Sequence, residues 1–470
     1  MATSTPIGFL DNILPRIVNL ARTDFQGRIS PVFTEMTETD EGVVRDMGEN
    51  CTVKIKMIEG LAGAMRNVPA VGPATLDTAL TGGMPIWSGL ETFPLHNQVA
   101  NFGHVDATIT LVKGLAIYTL PVHYYRAQVI PDAVIDAVTL TATLFAKMLM
   151  MHDAASWFAC DPDTKAIYKV LNTSCLSGNG GQTITFDFSD ASLISGRLGT
   201  FQKGSVVQGW DASATPDVTL ANSADGIVTN VDHASKTMTI YFPAGNVTFD
   251  TNDYITSSGS TVNVGPSGPM SWIKNSGSIF GVALADHPDL KSLIYAANSV
   301  LDGMLLNRVM SAFDDMTGGD CDLDRIITTN GVRSAFLNSL DGLRRYHIDG
   351  APMKVAEGWE AIDFSYGGRQ FQMATDRHMP VAEVWIMKTR GNQKRYVPPA
   401  IRDAITGKLL PGGVEFLGKL FGSTGERLPY NSPTTGALST YTQTPVQWVR
   451  EHATDDPRSI RVTGVYEDAL

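Results

Sequence analysis

The 470-residue chain predicts an α+β protein built around one unusually long helix and carrying an inserted all-β unit. Three observations predict it. Residues from Ile130 to about Cys160 hold an uninterrupted helical pattern. Residues 200–265 replace that pattern with short alternating runs separated by turn residues, about 8–12 residues apart, the spacing of a small antiparallel sandwich or barrel. Beyond 266, strand and helix patterns alternate again. At about 150 residues per domain, the length allows two to four folded units.

Composition narrows the function. A net charge of −12, from 36 basic and 48 acidic residues, argues against broad nucleic-acid binding, which needs clustered Lys and Arg. Glycine is abundant at 44, and charge is thin over long stretches that are not membrane spans. Cys51, Cys160, Cys175 and Cys321 show no paired spacing and are expected as thiols. Met1–Thr5 has neither a basic start to an apolar core nor Gly at position two, so neither a signal peptide nor a myristoyl anchor is expected.

Taken in order, residues 1–50 read as an arm. Its apolar residues come in bursts (Ile7, Phe9, Leu10, Ile13, Leu14; then Ile17, Val18, Leu20) broken by Pro6 and Pro15, and cannot form a core alone. Cys51–Ile58 and Val105–Val112 alternate with period two and predict strands. Between them, residues 60–104 are rich in Gly and Pro, with only Arg66, Asp77 and Glu91 charged. A loop of that length belongs outside a compact domain, finding its contacts elsewhere. Ile130-Pro131-Asp132 opens the long helix, with Pro in the first turn and an acid at the positive dipole end. Its apolar positions Val134, Val138, Leu144, Phe145, Met148, Leu149 and Trp157 are expected to face a core, with Met148, Met150 and Met151 as packing residues. Lys147 inside this segment argues against a membrane span.

Later elements follow the same rules. Asp302–Met316 predicts a helix stopped by Gly318-Gly319, Asp324–Thr328 a buried strand, and Asn330–Leu340 a helix capped by Thr329 or Asn330. Arg369–Met373, Glu383–Lys388 and Arg458–Val465 predict strands, the last closing a Gly- and Thr-rich tail from 405.

Signatures of chemistry are missing. Gly407-Lys408 lacks the rest of a phosphate loop, Gly178–Gly181 is a flexible turn, and no G-x-S-x-G elbow occurs. His378 beside Asp376 is the nearest to a catalytic pair, though a turn between two strands explains it more simply. Asp314-Asp315 and Asp455-Asp456 are adjacent pairs whose side chains diverge. No catalytic, cofactor-binding or metal-ligating residue is therefore assigned, no cofactor is expected, and a structural role is favoured over an enzyme.

This order of elements resembles the major capsid proteins of tailed bacteriophages, the Hong Kong 97 phage fold. The residues that carry the resemblance are Asp302–Met316 followed by Gly318–Leu337, then Tyr366–Asp376 and Val384–Lys388, with Glu49–Ile58 leading into Gly60–Gly63. The resemblance implies an N-terminal arm (1–50), an extended loop with its strands (51–112) and a peripheral domain with the spine helix (113–162). It further implies an axial domain (163–199 and 266–404) interrupted by the β insertion (200–265), and a C-terminal segment (405–470) returning to both domains. It also implies self-assembly into an icosahedral shell of pentamers and hexamers that encloses a dsDNA genome without sequence-specific binding. Separate scaffolding, portal and cement or decoration proteins are the further partners it implies. The setting would be the virion, assembled in the host cytoplasm, with no membrane contact. Trp87, Leu90, Phe93 and Phe102 of the loop and Phe9 and Leu10 of the arm would then contact neighbouring subunits, since such groups are unsafe exposed on a monomer.

Two departures qualify the resemblance. No Lys occurs between Lys56 and Lys113, so a Lys–Asn weld from this loop is not expected. The chain also reaches its arm without a long charged scaffolding segment. The alternatives are an encapsulin-type cargo shell, a glycan-binding adhesin or tail protein resting on the β unit alone, and a hydrolase using His378 or Asp376.

Overall fold

The computed structural model describes residues 30, 32–33, 43–45, 50–56, 60–62, 99–101, 104–110, 112–121, 131–159, 168–169, 175–177, 180–187, 201, 203–214, 217–232, 235, 237–250, 253–259, 265–319, 322–341, 362–376, 378–389, 391–397, 414–416 and 441–467. The N-terminal elements are β1 (Val43–Arg45), β2 (Asn50–Lys56), β3 (Gly60–Ala62), β4 (Val99–Asn101), β5 (His104–Thr110) and β6 (Val112–Pro121). They lead to helix α1 (Pro131–Ala159), whose 29 residues make it about 43 Å long. β2 and β5 pair antiparallel from Asn50↔Thr110 to Lys56↔His104, and β3 and β4 form a second antiparallel pair from Gly60↔Asn101 to Ala62↔Val99, one residue out of that register.

The all-β part contains β7 (Tyr168–Lys169), β8 (Cys175–Ser177), β9 (Thr183–Asp187), β10 (Val206–Asp211), β11 (Val218–Thr219), β12 (Gly226–Asp232), β13 (Thr237–Tyr241) and β14 (Tyr254–Ser257). They form one antiparallel sheet in the order β7-β14-β10-β12-β13-β9-β8, with β11 on β10. The sheet thus takes in β7, β8 and β9, which precede the stretch that composition singles out. β7 and β8, at two and three residues, are too short to display an alternation. Ile184, Phe186, Val207, Val228, Met238, Ile240 and Ile255 point to one face and build its core, which Ala155 of α1 joins.

Downstream come α2 (Pro269–Trp272), the hairpin β15 (Ser278–Ile279) and β16 (Val282–Ala283), β17 (Leu293–Ser299) and α3 (Gly303–Thr317). They are followed by β18 (Arg325–Thr328), α4 (Asn330–Asp341), β19 (Ile362–Tyr366), β20 (Arg369–Thr375) and β21 (Glu383–Met387). The chain closes with β22 (Gln393–Val397), β23 (Val414–Phe416), β24 (Tyr441–Thr454) and β25 (Ile460–Val465). Asp302 caps α3 by accepting from the Leu305 amide at 2.7 Å, and Gly318 ends it at φ 64°. Thr329 caps α4, its hydroxyl accepting from the Val332 amide at 3.3 Å.

A mixed sheet in the order β17-β25-β21-β18-β20-β19 is covered on both faces. Ile326, Val384 and Ile386 pack with Leu306, Val309 and Phe313 of α3 and Phe336 of α4. Their neighbours Ile327, Trp385 and Met387 turn to the other face and meet Trp157 and Phe158 of α1. Period-two alternation with both faces apolar is what a sheet between two layers requires. Val32 and Phe33 of the N-terminal segment are buried in that second layer.

The remaining sheet holds β24 at its centre. Tyr441–Arg450 pairs with β6, Val446–Trp448 with β23, and Glu451–Thr454 with β22, on which β1 lies parallel. The sequence reading left this strand in an irregular tail. Pro445 breaks the strand signal, yet it sits opposite Ile117 just before the pairing with β23 begins, where a missing N–H is tolerated.

Candidate functional site

Two buried polar joints and one exposed apolar stripe stand out among the described residues, and all three involve α1. The first joint centres on Asp153, which is fully enclosed near the C-terminal end of that helix. Period-two alternation puts Trp448, Arg450 and His452 on one face of β24, and antiparallel pairing sets Arg395 of β22 opposite His452. Arg395 Nη2 donates to Asp153 Oδ2 at 3.1 Å, Arg450 Nε lies 2.7 Å from Oδ1, and Trp448 Nε1 donates to Oδ1 at 3.3 Å. The Arg450 guanidinium also lies 5.3 Å from the Trp448 ring centroid.

Buried Glu451, on the opposite face of β24, accepts from the Ser267 amide and, at 2.9 Å, from the His452 amide. Burial, reinforced by the arginines, drives both nearby imidazoles toward the neutral form: His452 falls to about 3, and half-buried His152 to about 4. Desolvation is the first cause in each, followed by Arg395 at His452 and Arg450 at His152, with Asp153 opposing.

The second joint fixes the N-terminal segment. Ser30 donates its hydroxyl to Asp376 Oδ2, and His378 Nδ1 lies 3.1 Å from Asp376 Oδ1. Asp376 also accepts from the His378 amide at 2.9 Å. Phe33, with no exposed surface, packs 5.8 Å from the Trp157 ring and 5.7 Å from His452. His378 stacks on Phe158, which stacks in turn on Trp385.

This arrangement is a clasp rather than a hydrolytic triad. A triad needs the imidazole between carboxylate and hydroxyl, with the hydroxyl open to substrate. Here the carboxylate lies between the other two, and His378 Nε2 is buried without a hydrogen-bond partner. The described residues hold no group of three or more His, Cys, Asp or Glu placed to bind a metal. Among them, no helix is long and apolar enough to cross a membrane.

The stripe corrects the sequence reading of α1. Leu144 and Met148, expected in the core, are 56% and 44% exposed, and Leu140 is 60% exposed on the same line. Their neighbours Phe145, Leu149 and Met151 are buried. The helix is apolar on more than one face, so periodicity alone could not select the face that packs. Phe9, Leu10, Trp87, Leu90, Phe93 and Phe102 lie outside the described residues. Sequence reasoning missed Asp153, Arg395 and Arg450, because Asp153 lies 242 residues from Arg395 and no local motif links them.

No protein-family model matches the sequence, nor does any curated protein. Solved structures align over nearly the whole chain. The capsid asymmetric unit of cyanophage A-1(L) aligns over 93% of this chain and 93% of its own, at 9% identity and a TM-score of 0.41. The capsid of a native GTA particle aligns over 93% and 90%, at 10% identity and a TM-score of 0.40. The holo-SrpI encapsulin complex from Synechococcus elongatus PCC 7942 aligns over 92% and 90%, at 6% identity and a TM-score of 0.35.

Proposed function

We propose that this protein is the subunit of a self-assembling icosahedral shell, a major capsid protein of the tailed-phage type that encloses dsDNA. The observation that carries the reading is the paired base of the segment between Lys56 and His104. The chain leaves along β2 and β3 and returns along β4 and β5 in two antiparallel pairs, the outer pair shifted by one residue from the register of the inner. What lies between, residues 63–98, carries only Arg66, Asp77 and Glu91 as charges and holds Trp87, Leu90 and Phe93. An excursion so poor in charge and so rich in large apolar groups suits a surface covered by other copies of the chain.

On this reading Trp87, Leu90, Phe93 and Phe102, with Phe9 and Leu10 of the arm, contact neighbouring subunits in pentamers and hexamers. Interfaces of this kind are heterologous and closed by symmetry. The net charge of −12 limits adhesion to the packaged genome. Scaffolding, portal and decoration proteins are separate chains, assembly takes place in the host cytoplasm, and the shell itself catalyses no reaction.

The test is a double substitution in the loop, Trp87→Asp with Phe93→Asp, in the full-length chain. It should leave the far-ultraviolet circular dichroism of the subunit unchanged while abolishing particles in electron micrographs. Particles of normal size and yield from this variant would contradict the role given to the loop. Nucleic acid inside wild-type particles supports the phage form, and protein cargo in its place the encapsulin form.

A further inference from the structure

The six-stranded sheet is open at both ends. β17 and β19 are its outermost strands, and among the described residues each pairs with one neighbour only, β17 with β25 and β19 with β20. The Leu293 amide donates to the Ser459 carbonyl at 2.9 Å, so Leu293, Tyr295 and Ala297 bond toward β25. The amides of Ile294 and Ala296 therefore face outward. On β19, the two-residue turn Gly367-Gly368 makes Tyr366 and Arg369 a hydrogen-bonded pair. Phe364 and Tyr366 thus bond to β20, and the backbone groups of Asp363 and Ser365 face outward.

Open edges are normally guarded by a charge, a proline, a bulge or a covering element. The stretch Leu293–Ala297 has no charge and no proline, and the register of β17 becomes irregular only after Ala296.

The two edges match each other. Leu293, Tyr295 and Ala297 of β17, and Phe364 and Tyr366 of β19, are half-buried against the same apolar layer under α3 and α4. That layer therefore runs out to both edges on one face of the sheet. From β17 the strands run parallel to β25, antiparallel to β21, antiparallel to β18, parallel to β20 and antiparallel to β19. β17 and β19 consequently point in opposite directions, so a second copy laid in the plane of the sheet meets the first antiparallel. Setting Tyr295 opposite Phe364 also sets Ile294 opposite Ser365 and Ala296 opposite Asp363, the outward-facing residues of each strand. One register thus satisfies the free backbone groups and joins the two apolar layers.

We infer that β17 of one copy pairs antiparallel with β19 of the next, extending the sheet from subunit to subunit. The contact is heterologous, so repeating it can close a ring. This rests on the shell reading, which supplies the ring, and it names the edges that join. Like-with-like pairing of β17 on β17 would stop at two copies and leave both β19 edges open.

The experiment assembles particles from the full-length chain carrying Ile294→Cys with Ser365→Cys, and oxidises them. Hydrogen-bonded antiparallel pairs hold their Cα atoms about 5.5 Å apart, within disulfide range. Non-reducing electrophoresis should show a ladder running past the dimer to the pentamer and hexamer. The ladder should be absent from each single variant and from the unmodified chain with its four cysteines. Dimers from Ile294→Cys alone would overturn the inference in favour of like-with-like pairing, and no crosslinks in well-formed particles would overturn it outright. Both results leave the shell reading standing. Ala296→Pro is the second variant, removing an amide that bonds nothing among the described residues. The melting temperature of the isolated subunit should not move, while particle yield falls about tenfold or more, the loss of one backbone hydrogen bond at every contact. Normal particle yield, or a lowered melting temperature, contradicts the pairing. An unmodified chain that forms no particles overturns both readings.

Discussion

Asp153 of α1 and Arg450 of β24 form a buried ion pair, 2.7 Å apart, that joins the long helix to the strand at the centre of its neighbouring sheet. Arg395 reaches the other oxygen of the same carboxylate. Removing the carboxylate would take from both buried guanidiniums the anion they share. Asp153→Ala is expected to lower unfolding free energy by about 3–5 kcal/mol, the cost of an uncompensated buried charge. Urea denaturation of the subunit measures this, and a loss within experimental error would show that the joint is not a stabilising contact.

The neighbouring histidines make the same joint acid-sensitive. His152 and His452 have folded-state values of about 4 and about 3, below the unfolded value of 6.5. The unfolded chain therefore binds protons that the folded chain refuses, and stability present above about pH 6.5 is lost as pH falls toward 4. Each histidine contributes a slope of about 1.4 kcal/mol per pH unit in that window. Melting temperature recorded from pH 7 to pH 4 checks this. His452→Gln, which removes the more buried imidazole, is expected to flatten the profile.

The clasp of the N-terminal segment predicts two distinct losses. Ser30→Ala leaves one oxygen of a buried carboxylate short of a donor and should cost about 1–3 kcal/mol. Phe33→Ala empties a fully buried aromatic site beside Trp157 and should cost about 3–5 kcal/mol. Limited proteolysis near the N-terminus should accelerate in both variants, more in the second. Unchanged cleavage would mean that residues 30–33 do not tether the arm.

Gly268, just before α2, makes a prediction from shape alone. A Cβ at this position would stand 2.0 Å from the carbonyl oxygen of Trp157, so backbone must approach backbone there. Gly268→Ala should therefore force α2 away from α1 and reduce the yield of folded chain. Normal yield and an unshifted melting temperature would rule out that close approach.

Elements with strong local signals were legible in the sequence. Asp302 and Gly318 delimited α3, and Pro131 opened α1, because caps and proline act within a few residues. β24 was not legible, since Pro445 and a run of threonines mask an alternation that only three neighbouring strands make sense of. Asp153 was hidden for a related reason: its partners Arg395 and Arg450 are distant in sequence, and nothing local to α1 signals them. The turn Asp376–His378 was read as a connection, which it is, but its bond to Ser30 depends on long-range packing.

Electron cryo-microscopy of the purified full-length chain tests the central claim most directly. The account predicts closed icosahedral particles, uniform in size and tens of nanometres across, with density in which each subunit's loop lies over a neighbour. A stable monomer under the same conditions, with every apolar surface covered by its own chain, would contradict it.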